Sequence, residues 1–109
     1  MRFYPLEKLI NLHDNYTRRF KIDSLQLLLV QRGGELALFE ADCPHRGHPL
    51  EEGDIGSGSI QCPLHRYRFS LGDGAVLAQT EEPCRGLRVF GIAWEGTDVG
   101  VMLDDSPER

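Results

Sequence analysis

Two short motifs constrain this chain more than anything else in it: Cys43-Pro44-His45 and Cys62-Pro63-Leu64-His65. Each couples a thiol to an imidazole, and both groups ligate metals in their thiolate and neutral forms. Sixteen residues, Arg46 to Gln61, separate the two dyads. Four ligands so placed converge only if two proline-containing loops project from the same end of a scaffold. The fold therefore has to present paired loops, and the rest of the chain reads that way: short strands, tight turns and little helix.

Tyr16, Phe20 and Ile22 share one parity and Thr17, Arg19 and Lys21 the other, with Arg18 breaking the apolar side. That alternation predicts a half-buried strand, whereas the unbroken apolar run from Leu25 to Val30 predicts a strand buried on both faces. Gly33-Gly34 then joins it to Leu36–Phe39, the pattern of a β-hairpin with a tight turn. Glu40 to Ser59 reads as a loop, with one helical turn at Pro49–Gly53. A strand restarts at Ile60. Tyr67, Phe69 and Leu71 alternate with Arg66, Arg68 and Ser70, a second half-buried strand ended by the turn Leu71–Ala75. Leu87–Trp94 and Val99–Leu103 predict a further hairpin across Glu95–Asp98, with Trp94, Phe90 and Leu87 as core. The best helix signal is a single turn at Pro5–Leu9, and Asp104–Arg109 reads as a frayed tail. The expectation is an all-β domain spanning 1–109, an antiparallel β-sandwich or partly open barrel. Its ligand loops occupy about residues 40–70.

With 109 residues there is no room for a second catalytic domain, so catalysis by the chain alone is not expected. A net charge of −5 argues against nucleic acid as a partner. The first residues carry no apolar signal region, and Arg18-Arg19 is not followed by an apolar stretch. The longest apolar run, Leu27–Val30, is too short to cross a bilayer. A soluble cytoplasmic protein that does not bind membranes is expected, and its three cysteines do not suggest a disulfide scaffold.

Two thiolates and two imidazoles suit a structural zinc site, which would make the chain a zinc-stabilised binding module. Zinc pairs, however, usually have roughly two to four residues between ligands and two ligands of one kind. Here one loop leaves a single residue between them, and each loop supplies one of each kind. That pattern suits two irons bridged by sulfide, one taking Cys43 and Cys62 and the other His45 and His65. Cys43-Pro44-His45-Arg46-Gly47, Cys62-Pro63-Leu64-His65, Phe69 and the turn Asp73-Gly74 resemble the Rieske family over roughly Leu25 to Leu103. The resemblance implies a Rieske-type fold with one [2Fe–2S] cluster on those four ligands, and electron exit through an exposed edge formed by His45 and His65. It is strongest to the small ferredoxins of aromatic-ring oxygenase systems. These carry electrons from a flavin-containing reductase to a terminal oxygenase; the small subunit of a nitrite reductase-like enzyme is the other reading.

Two neutral imidazoles in place of thiolates raise the cluster potential into a window of about −150 to +300 mV. Rieske proteins of respiratory complexes carry an extra loop disulfide, and His48 and Leu64 occupy those positions here. They also carry a serine and a tyrosine whose hydroxyls bond sulfur, where this chain has Tyr67 and Phe69. Fewer donors to sulfur predict the low end of the window.

The remaining polar residues near the dyads read as ordinary surface. Arg46, Arg66 and Arg68 are expected as solvated loop charges, Glu51-Glu52 and Asp104-Asp105 as solvated acids, and His13 as a surface histidine. His48 lies inside the first loop without a required role. Thr80-Glu81-Glu82-Pro83-Cys84 is the counterpart of a third, proline-containing loop over the cluster, and Cys84 is expected as a half-buried residue starting a strand.

Overall fold

A computed structural model describes residues 2–44, 47–56, 58–63, 66–79 and 83–103. Its strands are β1 (Arg2–Lys8), β2 (Thr17–Ile22), β3 (Leu25–Arg32), β4 (Glu35–Glu40), β5 (Asp54–Ile55), β6 (Ser59–Gln61), β7 (Arg68–Ser70), β8 (Val76–Ala78), β9 (Val89–Phe90), β10 (Ile92–Glu95) and β11 (Asp98–Leu103). They form three antiparallel sheets, ordered β1-β11-β10, β2-β3-β4-β9 and β5-β6-β7-β8. Helix is confined, among the described residues, to two 3-10 turns at Leu9–Asn11 and Leu50–Glu52. No helix among them is long and apolar enough to cross a membrane.

The β2-β3-β4-β9 sheet lies in the middle, and β3 shows why. Leu27, Leu28, Leu29 and Val30 are all at most 1% exposed. Side chains alternate faces along a strand, so a run apolar at every position needs cover on both sides. Leu27 and Leu29 pack with Tyr16, Leu38 and Val101 toward the β1-β11-β10 sheet. Leu28 and Val30 pack with Phe39, Ile60, Tyr67 and Phe69 toward the β5-β6-β7-β8 sheet. The β3–β4 hairpin turns as expected at Gly33 and Gly34, with φ of 61° and 82°. That is the left-handed pair demanded by the tight turn matching strand twist.

Four expectations give way. The turn predicted at Pro5–Leu9 is mostly strand: β1 continues to Lys8, and the helical turn begins only at Leu9. Pro5 is tolerated because β1 is an edge strand and a bulge falls between Pro5 and Glu7, so no ladder N–H is missed. The run Leu87–Trp94 is two strands in two sheets, with β9 on β4 and β10 on β11, split at Gly91. Trp94 is not core but 56% exposed, near the end of its hairpin. The loop from Glu40 to Ser59 contains β5, a two-residue strand on β6 too short to leave a periodic signal. The 3-10 turn inside that loop falls where predicted, and Leu87 is buried while Phe90 is half-buried.

Candidate metal centre

The two cysteine loops leave the scaffold in different places and close in the same way. Cys43 follows β4, and its N–H donates to the His48 carbonyl at 2.9 Å. Cys62 follows β6, and its N–H donates to the Tyr67 carbonyl at 2.7 Å. Each bond spans five residues. In each loop the fourth residue after the cysteine lies in the left-handed region, Gly47 at φ 73° and Arg66 at φ 61°. The first loop is tightened further by Gly47 N–H donating to the Cys43 carbonyl at 2.6 Å and by a bridge between Asp42 and Pro49.

These closures set both cysteines into one apolar cluster with Leu50, Ile60, Tyr67 and Phe69. Cys43 is 2% exposed and Cys62 1%, and none of the three cysteines forms a disulfide. An uncompensated thiolate so buried is strongly disfavoured, so a pair of sulfur donors sunk in apolar surroundings suits a cationic metal centre. No polar or charged side chain is buried among the described residues. His45, Arg46, Leu64 and His65 lie outside the described residues. Of the four ligands expected from the sequence, only the two thiols lie among the described residues, and no group of three metal-ligating side chains comes together among them.

Arg19, from β2, braces the first loop. Its Nη2 donates to Asp42, the residue before Cys43, at 2.9 Å, and to Glu51 at 2.7 Å, while its Nε donates to the other Glu51 oxygen at 2.8 Å. The guanidinium holds the Glu51 carboxyl below its usual range. Glu51 is exposed as expected but is also a structural tie, a contact between residues 32 apart that no local pattern announces. His48 hydrogen-bonds Glu52 at 3.0 Å through its ring and closes the loop through its carbonyl. His13 is exposed as expected. Arg66 and Arg68 are exposed loop and strand cations, Arg68 donating to Gln61 at 3.0 Å.

Residues 2–91 match the family described as the Rieske [2Fe-2S] domain. The chain belongs to that family. Its cofactor is the family's [2Fe–2S] cluster, which sets aside the zinc reading. The biphenyl dioxygenase ferredoxin subunit of Pseudomonas sp. (strain KKS102) is 31% identical over 78 residues, 71% of this chain and 70% of that one. The chloroplastic chlorophyllide a oxygenase of Chlamydomonas reinhardtii is 37% identical over 60 residues, 54% of this chain but 9% of that one. The chain thus spans only about a tenth of the larger curated relatives it matches. The ferredoxin of carbazole 1,9a-dioxygenase from Nocardioides aromaticivorans IC177 superposes with a TM-score of 0.77 at 25% identity, covering 93% of this chain and 97% of that one.

A third segment of this Rieske domain reaches the cysteines. Cys84 packs against the cluster of side chains that holds Cys43. Burial pushes its thiol up, the nearby Cys43 charge adds to that, and Arg85 opposes it. Cys84 is half-buried as expected but starts no strand, since β9 begins only at Val89. The segment is pinned by Arg85, which grips both Glu40 oxygens at 2.7 and 2.8 Å, and by Arg88 N–H on Glu40 at 2.7 Å. Leu87 N–H also donates to the Gly74 carbonyl at 2.7 Å. Residues 80–82, the start of the expected third loop, lie outside the described residues, as does the expected tail with Asp104 and Asp105.

Proposed function

We propose that this chain is a one-electron carrier whose cluster is held by Cys43 and Cys62 on one iron and by His45 and His65 on the other. The observation that carries the ligand assignment is the shared closure of the two loops, which sinks Cys43 and Cys62 into one apolar cluster. When bound, the [2Fe–2S] group accepts and releases one electron. The chain's part is to hold the two sulfur donors in the core, at 1–2% exposure; electron exit through His45 and His65 is the reading that the family resemblance supports.

The same residues support a low potential. Phe69 is fully buried among the residues around the cysteines and has no hydroxyl to offer a sulfur. The amide N–H groups of Cys43 and Cys62 are spent on His48 and Tyr67 carbonyls. Donors to sulfur stabilise the reduced state, and a phenylalanine at position 69 supplies none, which favours the lower half of the window of about −150 to +300 mV. This is the regime of a carrier that receives electrons from a flavin-containing reductase and gives them to a terminal oxygenase, in keeping with the similarity to the biphenyl dioxygenase ferredoxin subunit over most of both chains. The absence of disulfides among its three cysteines suits the cytoplasm.

A potentiometric titration followed by visible absorption tests the reading. The expected result is one reversible one-electron wave in the lower half of that window. A wave near its top, or none that reverses, contradicts it.

A further inference from the structure

Arg66 occupies a position that its backbone does not favour. At φ 61° it is in the left-handed region, where a β-carbon crowds the following carbonyl and glycine is preferred. The equivalent place in the first loop, four residues after Cys43, is filled by Gly47 at φ 73°. The two loops share their closing hydrogen bond, so one supplies the control for the other: the geometry accepts glycine, and this loop carries arginine. A strained residue kept at a working loop points to a use for its side chain.

The side chain supports that reading independently. The other described arginines are all engaged. Arg2, Arg18 and Arg88 lie over aromatic rings. Arg19, Arg32, Arg68 and Arg85 donate to carboxylate, amide, hydroxyl or carbonyl oxygens. Arg66 alone among the described arginines has neither an ion pair, a hydrogen bond nor a ring, and it is exposed. It follows His65 directly in sequence, on a chain whose net charge is −5. An unneutralised cation at that edge runs against the overall charge, and a short-range attraction of this kind orients a partner more than it adds affinity.

We propose that Arg66 is a docking cation that meets an acidic surface of the redox partner at the edge where the electron crosses. The inference rests on the one-electron carrier reading above. The step it serves is simple in its balance: the reduced cluster gives up one electron, the partner gains one, and no proton or bond is exchanged.

Small oxidants of opposite charge stand in for the partner. Dithionite-reduced, desalted protein is mixed in a stopped-flow instrument with ferricyanide, an anion, or with tris(phenanthroline)cobalt(III), a cation, at low and high salt. Arg66→Gly relieves the backbone and is expected to hold or raise Tm and to keep the visible spectrum. Its ferricyanide rate is expected to fall about threefold to tenfold at low salt, and the gap to close at high salt where screening shortens to a few ångströms. The rate with the cobalt complex should hold or rise. Arg66→Asn, which also tolerates the left-handed region, repeats the test should glycine loosen the loop. Arg2→Gln, on the edge strand of a different sheet, removes the same charge and should leave both rates alone. Equal ferricyanide rates for Arg66→Gly and the parent overturn the proposal, as does an equal fall in Arg2→Gln. A chain whose colour dithionite does not bleach fails one step earlier, at the carrier reading itself, and takes this inference with it.

Discussion

Leu28 and Leu29 are neighbours on β3, identical in chemistry and both fully buried, yet they serve different halves of the molecule. Leu29 faces a self-contained layer, where Tyr16, Leu38 and Val101 close against the β1-β11-β10 sheet. Leu28 faces the layer that holds Cys43 and Cys62. On the first side, apolar burial completes the fold. On the second, the apolar layer encloses two sulfur atoms, so its stability is linked to whatever binds them. One strand thus divides a purely structural core from one that encloses the two cysteines proposed to hold the cluster.

The sharpest way to break this division is to truncate both leucines. Leu28→Ala and Leu29→Ala should each cost about 2–5 kcal/mol in denaturant unfolding, the usual penalty of a buried leucine cavity. Only Leu28→Ala should also lower the iron retained per chain and broaden the cluster's signal. Equal iron loss in Leu29→Ala would erase the distinction. Next in size is Gly74→Ala. A β-carbon there overlaps the Leu87 carbonyl, and Gly74 sits at φ 79°. A loss of about 2–4 kcal/mol is expected, with faster reaction of Cys84 with a thiol reagent as its segment lifts.

Arg19→Gln should cost about 1–2 kcal/mol at low salt, because it leaves Asp42 and Glu51 without their shared guanidinium, and the loss should shrink in high salt. Thermal melts at two ionic strengths measure it. The smallest effect belongs to the structural side. The Tyr16 hydroxyl, with Asn11 and the Lys8 N–H, pulls the Glu7 carboxyl down to about 2 from 4.5. The folded state therefore binds that proton more weakly than the unfolded chain does. The stabilisation is complete above about pH 4.5 and disappears as pH falls through about 2. Glu7→Gln should flatten the acid limb of a stability–pH curve and leave the cluster spectrum untouched.

Much of this was legible in the chain because it is written locally. The Leu27–Val30 run announces two-sided burial, Gly33-Gly34 announces its turn, and the cysteine of each dyad marks a loop that closes onto the core. What escaped is non-local. The Arg19 brace joins residues 32 apart. The Glu40–Arg85 grip spans 45. β5, with two residues, is too short for any period, and β1 forms because β11 pairs with it despite Pro5. The left-handed backbone of Arg66 is likewise invisible in a residue type that seldom adopts it. Trp94 misled because a large apolar residue in a strand usually faces a core, whereas this one lies near an open hairpin end.

The central claim is that the two loops jointly hold a mixed-ligand cluster. Metal analysis with visible and EPR spectra before and after dithionite, on protein purified without air, tests it most directly. The account predicts two irons per chain in place of zinc. It also predicts a reduced signal with the low average g of a histidine-ligated [2Fe–2S] centre, absent in Cys62→Ser. Zinc with no visible absorption, or a cluster that survives in Cys62→Ser, would contradict it.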